Sequence, residues 1–550
     1  MSVDPVRDAA LGLARRPWLV LLALVPGIVL TLADATIMSI AVPLMIQRLD
    51  ASVTAVSWVM NGYNLVLTVL FLPMGRLGDR WGHKRVFVMG LGVFTAASLG
   101  CARSGTIETL IAWRAVQAVG AAAVIPTALT ILLAAYPVAR RGFAAGLFGA
   151  LSSAAAAMGP SLGGVLIDRW SWPAVFWLNL PVGLLGIALA LALIPRRAAK
   201  PGPAGLDLPG AALAAGGLFC LTLALIQGNP WGWTSARVVL LLAAAGLLLF
   251  GFYIHERRTR EPFLDFAFFK RRSFAAASAA IMTVDTAMMG TTFMLVIYMV
   301  AMLDYTELRA GVVVTALPLA GLIMAPFAGR IVDRAGPRLP ALAGALLTAT
   351  GLVLLAFIDR TASSGAVASR TALVGAGLGL SLPALTAAGM SALPAEIRGL
   401  GSGVLNTARQ LGFLLGVAVL VAVFSHSMQT AVGRAADQAK MMTNASSAIP
   451  ADLKPEVAAA IDSARDIDVS LGMSEIRKVA HPIALLIEPR IGPLEGLALM
   501  GLKDDLERVF MDEAAGAFRW PLLTAAIAAL LALIPSAMLP MRLPRHDESG

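Results

Sequence analysis

The chain has 550 residues, 58% apolar and 14% charged, with 52 glycines and a mean hydropathy of +0.79. Soluble domains carry about 25% charged residues, so a string of water-soluble domains is excluded and an integral membrane bundle is expected. The net charge of +10 comes from 43 Lys and Arg scattered in short clusters between apolar runs, a topology signal and not a nucleic-acid face.

A helix crosses the hydrocarbon core in about 20 apolar residues. That ruler places spans at 18–46, 54–74, 86–102, 107–135, 143–167, 173–194, 208–227 and 237–254. Beyond the charged stretch 255–273, six more follow at 274–302, 310–328, 339–358, 371–393, 401–424 and 520–540. The first run is too long for a signal-peptide core and no small-residue cleavage site follows it, so it is expected to persist. Lys and Arg accumulate in cytoplasmic loops. With the N-terminus inside, 24 of the 43 fall in cytoplasmic segments against 7 in the short outer loops, so fourteen spans put both termini in the cytoplasm. Cys101 and Cys220 lie inside separate apolar runs and support neither a disulfide framework nor a metal site.

After the second span, Gly75-Arg76-Leu-Gly-Asp79-Arg80-Trp-Gly82-His-Lys84-Arg85 forms a charged turn whose glycines permit tight bends. It returns 254 residues later as Gly329-Arg-Ile-Val-Asp333-Arg334-Ala-Gly-Pro-Arg338. A parallel repeat about an axis along the membrane normal follows. Residues 1–197 are read as one six-helix half, 198–262 as an inserted two-helix hairpin with its linkers, and 263–550 as the second half. The expected fold is all-α, two six-helix halves in pseudo-two-fold symmetry plus two inserted helices. Asp79 with Arg76 and Arg80 can form charge-assisted bonds across this face that hold the halves in one conformation and break in the other; the alternative is a charged turn obeying orientation rules.

Two acids and two bases lie inside the spans. Asp34 sits in the first, where a charge costs about 2.5–3.5 kcal/mol on insertion scales and marks function by default; bracing of helix packing is the alternative. Arg114 in the fourth span needs a partner. Asp285 mirrors Asp34 in the second half and could carry a second proton or attract a cationic substrate; pairing with Arg409 or Thr283 is the competing reading. Gly159-Pro160 removes a backbone donor and, with Gly163 and Gly164, offers a small-residue face for a kinked, closely packed helix. Asn61, Tyr63, Asn64, Phe293, Met294 and Tyr298 are candidate cavity-lining residues, with Gln117 and Arg409 beside them.

These stretches together resemble the major facilitator superfamily, and within it the fourteen-span drug:proton antiporters, over nearly the whole chain. The resemblance rests on the 75–85 segment, Arg114-Ala-Val-Gln117-Ala-Val-Gly120, Gly159-Pro160-Ser-Leu-Gly163-Gly164, Leu32-Ala-Asp34-Ala-Thr36 through Pro43, Trp170-Ser-Trp172 through Gly183, and Asn406 to Gly412. It implies a cytoplasmic latch at 75–85 and a seal between the halves at 159–164. It also implies neighbouring first and fourth spans, which makes Asp34 the nearest partner for Arg114, and proton coupling at that Arg. Ala118 stands where the signature has Gly, and His83 where it has a basic residue.

The segment 425–519, about 95 residues, falls outside the cytoplasm; Ala431–Lys440 and Leu499–Phe510 read as helices, and Ile483–Ile487 as a short apolar run. It could cap the outer exit, contact lipid or bind an envelope accessory protein. No Gly-x-x-x-x-Gly-Lys-Ser/Thr or His/Glu metal box occurs, so ATP-driven pumping lacks its chemistry. No cofactor is expected; an ion gradient supplies the energy. The expected function is proton-coupled export of amphipathic compounds, cationic ones among them, across a bacterial inner membrane. Export of a lipid or an endogenous metabolite is the runner-up, and a non-transporting receptor the third reading.

Overall fold

The computed structural model describes residues 16–49, 51–195, 207–259, 262–303, 305–446, 454–463 and 497–542, and every regular element among them is helical. The first six long helices are α1 (Pro17–Arg48), α2 (Val53–Trp81), α3 (His83–Ala102), α4 (Ile107–Ala135), α5 (Arg141–Trp170) and α6 (Pro173–Leu193). The inserted pair is α7 (Leu208–Trp231) and α8 (Ala236–Arg258). The second set comprises α9 (Arg272–Ala301), α10 (Ala316–Ala335), α11 (Arg338–Ala356), α12 (Ser364–Ser391) and α13 (Arg398–Ala445), followed by α14 (Lys454–Ser463), α15 (Leu497–Ala517) and α16 (Arg519–Leu531). Thirteen stretches of the described chain are long and apolar enough to cross a membrane. α9, which carries Asp285, is 30 residues long.

Local chemistry sets several starts. Ser52, Ser235 and Ser363 accept backbone N–H groups at the heads of α2, α8 and α12, and Thr106 with Thr109 forms a capping box on α4. These side chains satisfy donors that a helix start leaves orphaned. α4 is apolar on nearly every face and buries residues all along its length, from Ile107 to Leu133, as a helix enclosed by neighbours must. Its Gly120 packs so closely on α3 that an added Cβ would lie 2.5 Å from the Phe94 nitrogen and 2.6 Å from the Gly90 oxygen. Small residues at such crossings let helices pack where lipid offers no hydrophobic drive.

Two boundaries differ from the hydropathy ruler. The 75–85 segment is not a loop: α2 continues through it to Trp81, and the chain turns at Gly82 alone, whose φ of +92° is matched by +84° at Gly336 in the second copy. Only glycine adopts that conformation without cost. α13 does not stop at 424 but runs unbroken for 48 residues to Ala445, about 72 Å at 1.5 Å per residue. Its far end packs with α14 and α15 around Met428, Val432, Ile461, Leu506 and Phe510, all buried. The expected helices at 431–440 and 499–510 are therefore parts of α13 and α15, while Ile483–Ile487 lies outside the described residues.

Candidate functional site

At the first site a buried network ties α1, α3, α4 and α6 together. Arg114 Nη1 donates to Asp34 Oδ2 in an ion pair whose side chains are 1% and 0% exposed. The same nitrogen donates to Gln117 Oε1 at 2.5 Å, and Arg114 Nε reaches the Val59 carbonyl at 3.4 Å. Gln117 Nε2 donates to Ser98 Oγ at 2.8 Å and Asp34 Oδ1 at 3.4 Å. Asn179 Nδ2 reaches the same two oxygens at 3.3 and 3.4 Å. The guanidinium lies 4.1 Å from the centre of the Tyr63 ring, a cation–π contact. Tyr63 and Gln117, expected in the cavity lining, are instead buried inside this cluster. Ser98 and Asn179 were not singled out from sequence; Asn179 belonged to a recognised stretch, and Ser98 left no signal beyond its hydroxyl.

At the second site Asp285 pairs with Arg409, not Thr283, whose hydroxyl is spent on the Ala279 and Ala280 carbonyls. Arg409 Nε stands 3.4 Å from Asp285 Oδ2, and the two side chains are 32% and 4% exposed. Helices α9 and α13 meet at Gly412 against Met282 and Gly416 against Thr286, where an added Cβ would strike the facing carbonyl oxygens. Next along α13, Gln410 donates to Asn64 Oδ1 on α2 at 3.1 Å. Asn61 is half-buried. Tyr298 and Met294 do not line a cavity: both are buried in the α13–α15 cluster, Tyr298 stacking edge-on to Phe518 and donating to the Ile358 carbonyl at 3.2 Å. The side chain of Phe293 lies outside the described residues.

The two repeated turns form a reciprocal latch on one face of the bundle. Asp79, at the end of α2, accepts the Gly399 and Leu400 N–H groups of α13 at 2.7 and 2.6 Å. Asp333, at the end of α10, accepts the Gly142 and Phe143 N–H groups of α5 at 2.8 and 2.9 Å. Each carboxylate thus caps a helix of the opposite set, where orphan donors and the positive end of the helix dipole favour an anion. Both acceptor helices carry glycine as their second residue, and the space requires it. A Cβ at Gly142 would lie 2.5 Å from Asp333 Oδ1, and one at Gly399 2.6 Å from Asp79 Oδ1. Gly75 and Gly329 close the same contacts against the Gly399 and Gly142 carbonyl oxygens. Arg76 donates to the Pro262 carbonyl at 3.3 Å. Lys84 leaves the latch and bonds the Leu191 and Ile194 carbonyls at the end of α6, at 2.8 and 2.5 Å; Arg85 and Arg334 point outward, exposed. His83 keeps its ring 3.4 Å from Asp79.

The acceptor side of this latch is itself a repeat that went unread: Pro137-x-x-x-Arg141-Gly142 returns as Pro394-x-x-x-Arg398-Gly399, each through a short 3-10 turn into its helix. The glycine-rich 159–164 stretch departs from expectation. α5 is continuous through it, and Gly159 and Gly163 pack on Thr36 and Ile37 of α1, within the same half. Gly164 faces open space, and the Pro160 side chain lies outside the described residues. Contact with the second half falls to Gly142, Gly146 and Gly149, one helical stripe pressed on Gly329, Ala325 and Pro383; this contact sits about three to five turns before the 159–164 stretch.

Helices of two sets, latched reciprocally and enclosing paired charges at bilayer depth, define a membrane transport protein, not an enzyme. The chain belongs to the Major Facilitator Superfamily, whose family model matches residues 24–417. It is 34% identical over 413 residues to the tetracenomycin C resistance and export protein of Streptomyces glaucescens, covering 75% of this chain and 76% of that one. It is 33% identical over 414 residues to the multidrug resistance protein Stp of Mycobacterium tuberculosis, with the same coverage. The solved structure of the proton:xylose symporter XylE aligns with a TM-score of 0.51 at 12% identity, over 73% of this chain and 87% of that one, a likeness of fold.

Proposed function

We propose that the protein is a proton-coupled antiporter that exports small amphipathic compounds from a bacterial cytoplasm by alternating access, with both termini inside. The observation that carries this reading is the sealed Asp34–Arg114 pair. A proton and the guanidinium compete for the same carboxylate oxygen. Ionised, Asp34 binds α1 to α4 through Arg114 and accepts from Gln117 and Asn179; protonated, it gives up the ion pair, while Arg114 retains Gln117 and the Val59 carbonyl. Protonation state thus becomes helix position. Inward movement of a proton down a membrane potential releases about 2.3 kcal/mol per 100 mV, energy that can drive cargo the other way. The relatives named for drug resistance and export support the direction, and the latch, closed on the face assigned to the cytoplasm, supports a conformation open to the outside. The helices α13 to α15 wall that exit.

The test is export in proteoliposomes under an imposed pH gradient, read with a fluorescent drug, for the native protein and Asp34→Asn. The native protein is expected to build a gradient of the drug, and the variant to lose it while keeping downhill exchange. Uphill export unchanged by Asp34→Asn would defeat the proposal.

A further inference from the structure

We infer that the cargo site of this exporter is built for an acid: the guanidinium of Arg409 receives a planar pair of anionic oxygens, such as a carboxylate, on an otherwise apolar substrate. The inference rests on the export reading above and names its substrate class. Of the four charges deep in the helices, Asp34 and Arg114 are closed off from solvent and Asp285 is nearly so; Arg409 alone is about one-third exposed. It lies eleven residues from the start of α13, about 16 Å along the axis and so near the middle of a core about 30 Å thick. A guanidinium facing lipid at that depth would be costly, so its open side is assigned to the bundle interior. Its neighbours agree: Gln410 reaches α2 of the first set while Arg409 reaches α9 of the second, placing Arg409 at the seam that alternating access must open.

The geometry leaves the binding edge free. The Nε edge faces Asp285 at 3.4 Å as an ion pair, and Arg409 Nε and Asp285 Oδ2 both lack an aligned hydrogen-bond partner among the described residues. No described residue accepts from the two Nη groups. A guanidinium offers five donors in a fixed fork, and that fork matches a carboxylate with two parallel bonds. Asp285 holds the fork in orientation from behind without occupying its outer edge. The buried acid thus acts as a positioning residue, and the charge shown to cargo is positive.

The test uses the full-length protein in nanodiscs and three probes of one shape: 1-naphthaleneacetate, its methyl ester, and a 1-naphthylethyl-trimethylammonium. Equilibrium dialysis against empty nanodiscs reads binding without requiring transport. The carboxylate is expected to bind about tenfold or more tighter than the ester, the scale of one charge-assisted bidentate contact. Arg409→Gln should erase that difference, and Arg409→Lys should retain part of it. Asp285→Asn should tighten the carboxylate several-fold by removing an opposing charge, whereas damage to folding would weaken it in both variants. Equal binding of carboxylate and ester by the native protein overturns the assignment, as does preference for the ammonium probe lost in Asp285→Asn. Drug export under a pH gradient in the same preparation judges the export reading separately, since the dialysis result stands whichever way that assay falls.

Discussion

The acids of the two intramembrane ion pairs stand on the first helix of each half, but their partners do not correspond, Arg114 lying on α4 and Arg409 on α13, the counterpart of α5. Asp34–Arg114 is dry and saturated: Gln117, Asn179, Ser98 and the Val59 carbonyl complete its hydrogen bonding. Asp285–Arg409 is half-open and unsatisfied, held at 3.4 Å with an exposed guanidinium. The comparison teaches that the repeat kept an acid on the first helix of each half, while the partner and the surroundings of that acid differ between the halves. On the proposed reading a sealed pair is worked by a proton, the smallest species that can reach it. An open pair can change state by receiving a ligand.

The largest expected effect breaks the sealed pair. Removing one member of a buried ion pair strands the other and costs about 3–5 kcal/mol, so Arg114→Gln should lower the melting temperature sharply and abolish pH-driven export. Arg409→Gln should cost about 1 kcal/mol or less, as expected for a partly exposed pair. Thermal melts of both variants in one detergent check the ranking; equal losses would mean that the two sites are energetically alike and that the proposed division of roles is wrong.

A second contrast sharpens the view of the repeat through its latches. Asp79 and Asp333 each accept two backbone N–H groups, and a hydrogen bond to a charged group contributes about 1.5–3 kcal/mol. Asp79→Asn and Asp333→Asn should therefore loosen the closed face by similar amounts, read as faster hydrogen exchange at 399–400 and 142–143 respectively. Gly399→Val, which forces a side chain into the Gly75 carbonyl and Asp79, should open the face further than either. Unchanged exchange in both Asn variants would show that the glycine contacts alone hold the halves.

The sequence exposed part of this and hid the rest for identifiable reasons. Asp34 and Arg114 were legible because a charge in hydrocarbon demands a partner, and the family resemblance set the first and fourth spans side by side. The target of Asp79 was not, because backbone N–H groups carry no side-chain signature; only the Pro-x-x-x-Arg-Gly repeat betrays them. Tyr63 and Tyr298 were misplaced because one sequence does not fix helix rotation, and both proved to face packed neighbours. The end of α13 was misjudged because hydropathy reports lipid contact, whereas backbone hydrogen bonds carry a helix past the bilayer when Met428, Val432 and Ala439 have α14 and α15 to pack against.

The smallest effect comes from an acid outside the spans, which serves as a control for the two within. Asp207 caps α7, accepting the Gly210 N–H at 2.9 Å, and its carboxylate lies 2.8 Å from His255 Nε2 on α8. Burial pushes this carboxyl upward, but the Gly210 N–H and the imidazole outweigh it, and its pKa ends below the ordinary carboxylate value. A depressed acid stabilises the fold above its unfolded pKa of about 3.9, and the contribution disappears as pH falls through the lower folded value. Asp207→Ala should therefore cost about 0.5–2 kcal/mol at neutral pH, as the loss of a helix cap does, with the deficit shrinking in acid. Melting curves at pH 7 and about pH 2 measure it, while export by this variant at neutral pH should stay near native. A transport defect matching that of Asp34→Asn would show that the inserted hairpin belongs to the proton path, and the contrast between acids inside and outside the spans would no longer divide function from structure.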